Sequence, residues 1–462
     1  MLTYNLEARG NLPLYEYLYQ QIRQDILRGA LPAGTRLPSK RALAEHLRVS
    51  VITVEGAYEQ LEAEGYLSAR PRRGFFVNAV EHLPAAAPAP AVPPEEPAPA
   101  WRLDLSRNRM DLSRFPAATW ARLTRQVLSE GRFLDPVPHQ GLLALRQAIA
   151  GHLRDFKGMS VSPEQIVVGA GAEYLYLLLA QLLGQGRRTV FAVEDPGYLK
   201  IRQVYGKCGI RCRPVPLDRQ GMDLRALAAS GAAAAHISPA HHYPTGLVTP
   251  IGRRQALLHW AHESGGIIIE DDYDSEFRFS GRPIPTLQSI DRDGRVIYMN
   301  TFSQTISPSM RIGFMVLPPR LLERYRRELG FYTCAVPGLE QSVLARFLAG
   351  GYYEQHLSRM RKEYRSRRTA VLSAFRGSPF AGRISITEQG AGLHFLLRLD
   401  TREDDGVLRA RAEALGVRLS FLSDYTSAPG GVPAHTLVVN YASLGPGRLA
   451  EATALLSQVF SL

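Results

Sequence analysis

Cysteine is scarce in this chain of 462 residues, which has only Cys208, Cys212 and Cys334. Three scattered thiols cannot supply a disulfide framework, and the Cys208/Cys212 pair lacks the further Cys or His ligands of a zinc site. No apolar run approaches the roughly 18 residues of a membrane span. The first residues, MLTYNLEARG, lack the basic-then-apolar pattern of a secretory signal. We therefore expect no structural metal, no membrane contact and a cytoplasmic location.

An acidic excess is also absent, because the net charge is +12 at pH 7. A basic chain favours nucleic acid as a partner, but here the distribution of charge weakens that argument. Residues 1–78 carry ten Lys and Arg against eight Asp and Glu, so most of the positive charge lies further along the chain. A nucleic-acid function must therefore be argued from local motifs.

One segment lacks the means to build a core. The stretch EHLPAAAPAPAVPPEEPAPA consists almost wholly of Pro and Ala with a few acids, which is typical of a semi-extended linker. The chain also exceeds the length at which single cores stop growing. The pattern predicts a small unit over residues 1–78, a linker over 79–100 and a large unit over 101–462.

The first unit has the periodicity of short helices. Leu14, Leu18, Ile22 and Ile26 lie on one helical face, and Gly29 can end that helix. Two more caps follow: Ser39 precedes a short helix that runs to Leu47, and Ser50 precedes another. Two short helices separated by a tight turn are the prediction.

A two-stranded wing is predicted in the sequence YLSARPRRGFFV that follows. This is the element order of a winged helix-turn-helix domain, whose second motif helix enters the major groove by its N-terminal end. The residues expected to face DNA are Arg41, Thr53, Arg70, Arg72 and Arg73. Taken singly, these arginines could equally be ordinary solvated side chains. The order of elements favours DNA binding.

This unit resembles the DNA-binding domain of the GntR family through GALPAGTRLPSKRALAEHLRVS, TVEGAYEQLEAEGYL and the final GFFV. The resemblance covers Leu14 to Val77. It departs from the family at Val51, where a basic residue usually follows the capping serine. We therefore expect one contact to phosphate or base to be missing.

Four motifs in the large unit combine strands with polar turns. The run IVVGAGAEYLYLLL ends in a helix start whose free N–H groups suit an anion, although such a turn more often only joins a strand to a helix. TVFAVEDPGYLK presents Tyr198, which could cover a flat heteroaromatic ring or simply be a packed aromatic. GGIIIEDDYDSEF places Asp271 and Tyr273 at a strand end, the edge where α/β sheets bind ligands. RVIYMNTFSQTISPSMRIGF offers Arg311 to an anion.

Two charged features have competing interpretations. Adjacent His241 and His242 suggest a metal, but neighbouring side chains point apart and the sequence shows no further ligand motif, so we expect none. Glu173 falls beside the predicted anion site, where a like charge is costly unless its side chain points away. Lys200 can supply a compensating positive charge.

From Asp104 to about Tyr441 the succession resembles fold-type I aminotransferases, and the whole chain is similar to the MocR/GabR group of GntR-family regulators. The implied fold class is α/β, with a mostly parallel large subdomain and a smaller α+β subdomain. The resemblance implies that Tyr198 stacks on pyridoxal phosphate, Asp271 pairs with the pyridine nitrogen and Tyr273 with the ring hydroxyl. It assigns the phosphate to Gly171, Ala172, Thr301 and Arg311.

Two departures bear on activity. Gln304 occupies the position in TFSQT where the family has the lysine that forms an imine with the cofactor. A carboxamide nitrogen is neither a nucleophile nor a general base, so neither covalent attachment nor proton shuttling is available. Val438 stands near the position of an arginine that binds substrate carboxylate in relatives. We expect no catalytic residue and no aminotransferase activity.

The predicted function is a DNA-binding transcription regulator. Its large unit would dimerise and bind a small effector, with non-covalent pyridoxal phosphate or its amine form as the candidate. The resemblance implies a head-to-tail homodimer on a double-stranded operator, each DNA-binding unit resting against the partner's large unit. An active pyridoxal-phosphate enzyme with an accessory DNA-binding unit is the main alternative, which Gln304 disfavours. A scaffold with an empty pocket is the third.

Overall fold

The structure is a computed structural model. It describes residues 2–80, 99–106, 111–184, 189–279, 284–387, 390–427, 430–442 and 444–461. The chain divides into two compact units, Met1–Ala98 and Pro99–Leu462, and each is considered by itself. Residues 81–98, which include most of the predicted linker 79–100, lie outside the described residues.

The N-terminal unit contains the predicted three helices and a wing. Its elements are α1 Leu14–Leu27, α2 Lys40–Leu47, α3 Val51–Ala63, β1 Leu67–Arg70 and β2 Gly74–Val77, after a 3-10 helix at Leu6–Arg9. Both predicted caps form, because Ser39 Oγ accepts from the Ala42 N–H at 3.2 Å and Ser50 Oγ accepts from the Thr53 N–H at 3.1 Å. The winged helix-turn-helix fold is confirmed.

A single core holds this unit together. Ile22, Val54, Tyr58 and Leu61 are completely buried, so α1 and α3 pack through their apolar faces. The strands β1 and β2 pair antiparallel from Leu67 opposite Val77 to Arg70 opposite Gly74. Burying these apolar side chains provides the driving force that fixes α3 and the wing on one small body.

The large unit has twelve helices and thirteen strands among its described residues. The helices are α4 Ala117–Glu130, α5 Leu143–Lys157, α6 Ala172–Leu183, α7 Leu199–Lys207, α8 Leu224–Ala229, α9 Ile251–Ser264, α10 Leu287–Ile290, α11 Pro319–Leu329, α12 Gly338–Ala349, α13 Tyr352–Arg376, α14 Asp405–Ala414 and α15 Leu449–Val459. The strands are β3 Leu103–Asp104, β4 Ile166–Gly169, β5 Val190–Asp195, β6 Arg211–Asp218, β7 Gly221–Met222, β8 Ala234–Ile237, β9 Ile267–Asp271, β10 Val296–Thr301, β11 Gly313–Val316, β12 Ile384–Thr387, β13 His394–Leu399, β14 Val417–Arg418 and β15 Thr436–Asn440. Short 3-10 helices lie at Leu112–Arg114, Arg132–Leu134, Pro163–Gln165, Pro308–Met310, Ala381–Arg383, Leu422–Tyr425 and Pro446–Arg448.

An eight-stranded sheet in the order β4-β11-β10-β9-β8-β5-β6-β7 forms the centre of the large unit. Strands β10, β9, β8, β5 and β6 run parallel, whereas β11 is antiparallel to both of its neighbours. Several of these strands are nearly continuous apolar runs, as expected when helices cover both faces of a sheet. The predicted parallel-rich α/β architecture is confirmed.

A smaller subdomain is built from the C-terminal part of the chain. It contains the antiparallel sheet β12-β13-β15, and its core includes Phe375, Phe395, Tyr441 and Leu456. Strand β14 pairs with β3, so the first residues of the large unit pack against its last part. Among the described residues, no helix is both long and apolar enough to cross a membrane.

Candidate functional site

A cleft of about 810 Å³ opens at the carboxyl edge of the central sheet. Its lining includes Asp271 and Thr301, which are the last residues of β9 and β10. Ala172 and Tyr198 approach from the N-terminal ends of α6 and α7. Ligands of open α/β sheets bind at this edge because strand ends and helix N-termini converge there.

Asp271 is oriented by a chain of buried donors. The Tyr176 hydroxyl donates to Asp271 Oδ2 at 2.6 Å, and His236 Nε2 lies 3.3 Å from the same oxygen. The Tyr205 hydroxyl lies 2.9 Å from His236 Nδ1. Burial raises the pKa of both tyrosines well above the ordinary value, which keeps their hydroxyls protonated. The carboxylate is therefore fixed in position and can accept a further proton donor.

Four tyrosines form the aromatic part of the cleft. Tyr198 is 38% exposed, and its ring lies edge-on to that of Tyr243 at 6.3 Å between centroids. Tyr243 is also edge-on to Tyr273 at 6.0 Å, and its hydroxyl is 2.7 Å from that of Tyr425. The Ser420 hydroxyl continues this polar chain, 2.9 Å from Tyr425. A planar ligand in the cleft would contact the exposed part of the Tyr198 ring and the hydroxyls of Tyr243, Tyr425 and Ser420.

Cationic groups surround the start of α6. Gly171 caps this helix with φ of 85°, and a Cβ there would lie 2.6 Å from Arg311 Nη2. Only glycine allows both that backbone conformation and the close approach of the guanidinium. Arg311 forms an ion pair with Glu173, and Lys200 Nζ lies 3.1 Å from the other oxygen of that carboxylate. Glu173 thus occupies the two cations that an anionic ligand would use.

The charge on Glu173 is strongly stabilised. Burial raises its pKa, but hydrogen bonds from Arg311, the backbone and Lys200 outweigh that effect and lower the pKa to about 2. Because the folded-state pKa is depressed, the ion pairs are fully formed above the usual pKa of 4.5 and are lost only as the pH falls toward 2. The Glu173 side chain therefore does not point away from the predicted anion site, because it turns to the two cations of that site.

Gln304 lies in the turn after β10 and lines the cleft together with Tyr273 and Thr301. No lysine stands in its place. Lys157 is bound to Asp272 at 2.9 Å, and Lys200 is bound to Glu173 at 3.1 Å. All seven of the cleft residues predicted from sequence are thus brought together, since Gly171 packs on Arg311 and the other six line the cleft.

The predicted DNA-contacting arginines are all exposed. Arg41 lies in the first turn of α2, Arg70 ends β1, and Arg72 and Arg73 form the tip of the wing. None of these four has an ion-pair partner among the described residues. Thr53 is half-buried in the first turn of α3, with its hydroxyl 2.8 Å from that of Ser50. Unpaired arginines on the wing are available for phosphate.

Comparison with known proteins identifies both units. Residues 14–77 match the family of bacterial regulatory proteins named gntR, and residues 102–425 match aminotransferase class I and II. The chain is 38% identical to the uncharacterized HTH-type transcriptional regulator YhdI of Bacillus subtilis (strain 168), over 86% of each chain. It is 32% identical to the probable rhizopine catabolism regulatory protein MocR of Rhizobium meliloti, over 98% of this chain and 95% of that one.

The chain belongs to the MocR/GabR group of GntR-family transcription regulators. A further relative is the HTH-type pyridoxine biosynthesis transcriptional regulator PdxR of Corynebacterium glutamicum (strain ATCC 13032), 35% identical over 89% of each chain. The large unit is similar to LysN, an α-aminoadipate aminotransferase from Thermus thermophilus, with a TM-score of 0.68 and 26% identity over 78% of this chain and 92% of that one. This regulator therefore joins a DNA-binding domain to an aminotransferase-like domain.

Val438 contributes no cation to the cleft of this regulator. It is buried in β15, where its N–H donates to Ser420 O at 2.8 Å. The positive charge at this end comes from other arginines that the sequence motifs did not indicate. Arg409 Nη2 donates to Asp424 Oδ1 at 2.5 Å, and Arg418 lies over the Trp101 ring at 5.8 Å.

The sequence motifs also missed several buried polar partners. Burial raises the pKa of Glu194 to about 8, although the Ser238 N–H donates to it at 2.9 Å. Burial also lowers the pKa of the neighbouring His242 to about 3, so that ring is neutral. His241 Nδ1 lies 2.8 Å from Asp274 Oδ1, with the His394 ring nearby at 4.9 Å between centroids, so the two adjacent histidines have different partners. Nothing in the local spacing predicts these contacts.

Glu173 should compete with an anionic ligand for Arg311 and Lys200. Replacing it by glutamine removes the charge but keeps the size, so Glu173→Gln should bind pyridoxal phosphate about tenfold more tightly in calorimetry. Glu173 stays ionised from pH 5 to 8 because its pKa lies at about 2. The gain should therefore increase only as the ligand phosphate loses its second proton, near pH ~6. As a control, Glu451→Gln breaks a comparable pair with Arg102 and Arg448 and should leave the affinity unchanged. Equal or weaker binding by Glu173→Gln would contradict this competition.

Proposed function

We propose that the large unit of this regulator is a ligand sensor that binds a phosphorylated pyridine ring without a covalent bond and has no aminotransferase activity. The observation that carries the proposal is Gln304, which lines the cleft among side chains suited to such a ring. Its carboxamide can hydrogen-bond but can neither attack a carbonyl nor carry a proton from carbon.

The residues of the cleft fit pyridoxal phosphate by type and position. Asp271, already fixed by Tyr176 and His236, would accept from the protonated pyridine nitrogen. Tyr198 would cover the ring face and Tyr273 would meet the ring hydroxyl. The phosphate would lie at the start of α6, held by Gly171, Ala172, Thr301 and Arg311. In enzymes of this fold the cofactor supplies an electron sink, and a lysine moves the substrate proton. This chain has no base at position 304 for that proton transfer.

Two relatives support this choice of ligand class. One regulator in the group is named for pyridoxine biosynthesis, and the LysN structure holds a phosphopyridoxyl derivative of leucine. The Arg311 and Lys200 pair would have to exchange Glu173 for the phosphate, which couples ligand binding to a local rearrangement. A sensing domain requires contacts that differ between the ligand-free and ligand-bound states, because only such a difference lets the ligand shift the equilibrium between them.

Position 304 should decide whether the ligand is held covalently. After incubation with pyridoxal phosphate and borohydride, mass spectrometry should find no label on the wild-type peptide that spans Gln304. The Gln304→Lys variant should gain the label and a new absorbance, because a lysine amine can attack the ligand aldehyde. Gln304→Arg, which adds charge without a nucleophilic amine, is the matched control and should stay unlabelled. A labelled wild-type peptide, or an unlabelled Lys variant, contradicts this part of the proposal.

We further propose that Arg41, Thr53 and the wing arginines Arg70, Arg72 and Arg73 contact the operator. The double variant Arg72→Ala/Arg73→Ala should bind every duplex more weakly, because two phosphate contacts are lost. The slope of log affinity against log salt concentration should flatten by about 2. The exposed pair Arg292→Ala/Arg320→Ala changes the net charge equally and should leave the slope intact. If both double variants behave alike, the wing does not contact DNA.

We also propose a homodimer, arranged head to tail as the group resemblance implies. Its support in the large unit is two large apolar side chains, Leu134 at 77% and Phe331 at 76% exposure, whose burial in an interface would be favourable. Light scattering should report a dimer at micromolar concentration for the wild type and a monomer for Leu134→Ser/Phe331→Ser. A substitution at another exposed apolar position, Ile251→Ser, should leave the dimer intact. A monomeric wild type would exclude this assembly.

A further inference from the structure

Two large apolar side chains stand exposed at the start of the recognition helix α3. Val51 is 42% exposed and Ile52 is 77% exposed, directly after the Ser50 cap. The core side of the same helix is already complete, since Val54 and Leu61 are fully buried. The N-terminal fold therefore gains little from Val51 and Ile52. Exposing an isoleucine to water has a cost that contact with a partner would recover.

Charge limits which part of α3 can enter the groove of DNA. Glu55 and Glu59 follow on the helix, both paired with Lys40, at 2.7 Å and 3.8 Å. The first turn carries no acidic residue, and Arg41 lies exposed in the first turn of α2. Two carboxylates share one lysine, so the later turns keep a net negative charge that the phosphates would repel, whereas the first turn has none. Val51 and Ile52 are thus the side chains placed to reach base edges.

Neither residue can read a base by hydrogen bonding. The nearby hydroxyls of Ser50 and Thr53 lie 2.8 Å apart and bond to one another, and Ser50 also accepts from the Thr53 N–H. In the major groove the one apolar group on a base edge is the 5-methyl of thymine. An aliphatic side chain in this position therefore discriminates by the presence or absence of that methyl.

We propose that Ile52, with Val51 beside it, contacts a thymine methyl group in the operator of this regulator. Each half-site then contains an A·T pair whose thymine is read by the first turn of α3. This inference rests on the DNA-binding function and adds the base that the recognition helix selects.

The experiment removes one methyl at a time. Full-length protein selects its preferred duplex from a random library, and each thymine of that duplex is then replaced singly by deoxyuridine. Affinity should fall about fourfold at one or two positions of each half-site, the loss expected for one buried methyl. The Ile52→Ala variant should bind the thymine and uridine duplexes equally. Arg72→Ala/Arg73→Ala should keep the full sensitivity, because arginines of the wing contact phosphate.

Two outcomes would contradict the proposed contact between Ile52 and a thymine methyl. Uniform binding to all uridine duplexes, or a sensitivity that persists unchanged in both Ile52→Ala and Val51→Ala, overturns the inference. Both side chains are exposed, so thermal unfolding of these variants should match the wild type. If the protein selects no sequence at all, the DNA-binding function fails, and that outcome is distinct from selecting an operator that lacks the methyl contact.

Discussion

The cleft depends on the parallel arrangement of five neighbouring strands, β10, β9, β8, β5 and β6. Parallel strands deliver all their carboxyl ends to one edge, and each must be followed by a crossover before the next begins. Residues far apart in the chain therefore meet: Glu194, Asp271 and Thr301 come from three strands but line one cleft. Helices that return to the sheet add their N-terminal ends, so the same topology supplies both carboxylates and anion-binding backbone.

The charged side chains at the two ends of this cleft have different partners. Arg311 and Lys200 are held by Glu173, while Asp271 is held by Tyr176 and His236. The two ends of the cleft therefore accept different ligand groups. A cation or N–H donor can join Asp271 without displacing a charge, whereas an anion must compete with a carboxylate. An anion bound at the start of α6 would therefore change contacts on both α6 and α7, which would give this end of the cleft two alternative arrangements.

Local signals predicted the parts of the structure that depend on local physics. The caps Ser39 and Ser50 bond within three residues, and the apolar runs of the sheet are contiguous, so both could be identified from the sequence. The partner of Asp271 could not, because Tyr176 lies 95 residues away and only the packing of α6 on the sheet joins them. The raised pKa of Glu194 also follows from burial that no motif encodes. Motifs identified the cleft residues by position, while their protonation and pairing required the tertiary structure.

A glutamine at position 304 is compatible with this architecture because other side chains make the contacts that shape the cleft. Asp271 is fixed from α6 and β8, Arg311 packs on Gly171, and Tyr198 directly precedes α7. A carboxamide at this position cannot form an imine, but the elements that form the cleft do not depend on that reaction. Reversible binding also suits a sensor better than covalent retention, because occupancy then follows ligand concentration. Under the proposed function, this fold would keep ligand recognition without aminotransferase chemistry, provided that the sheet edge is preserved.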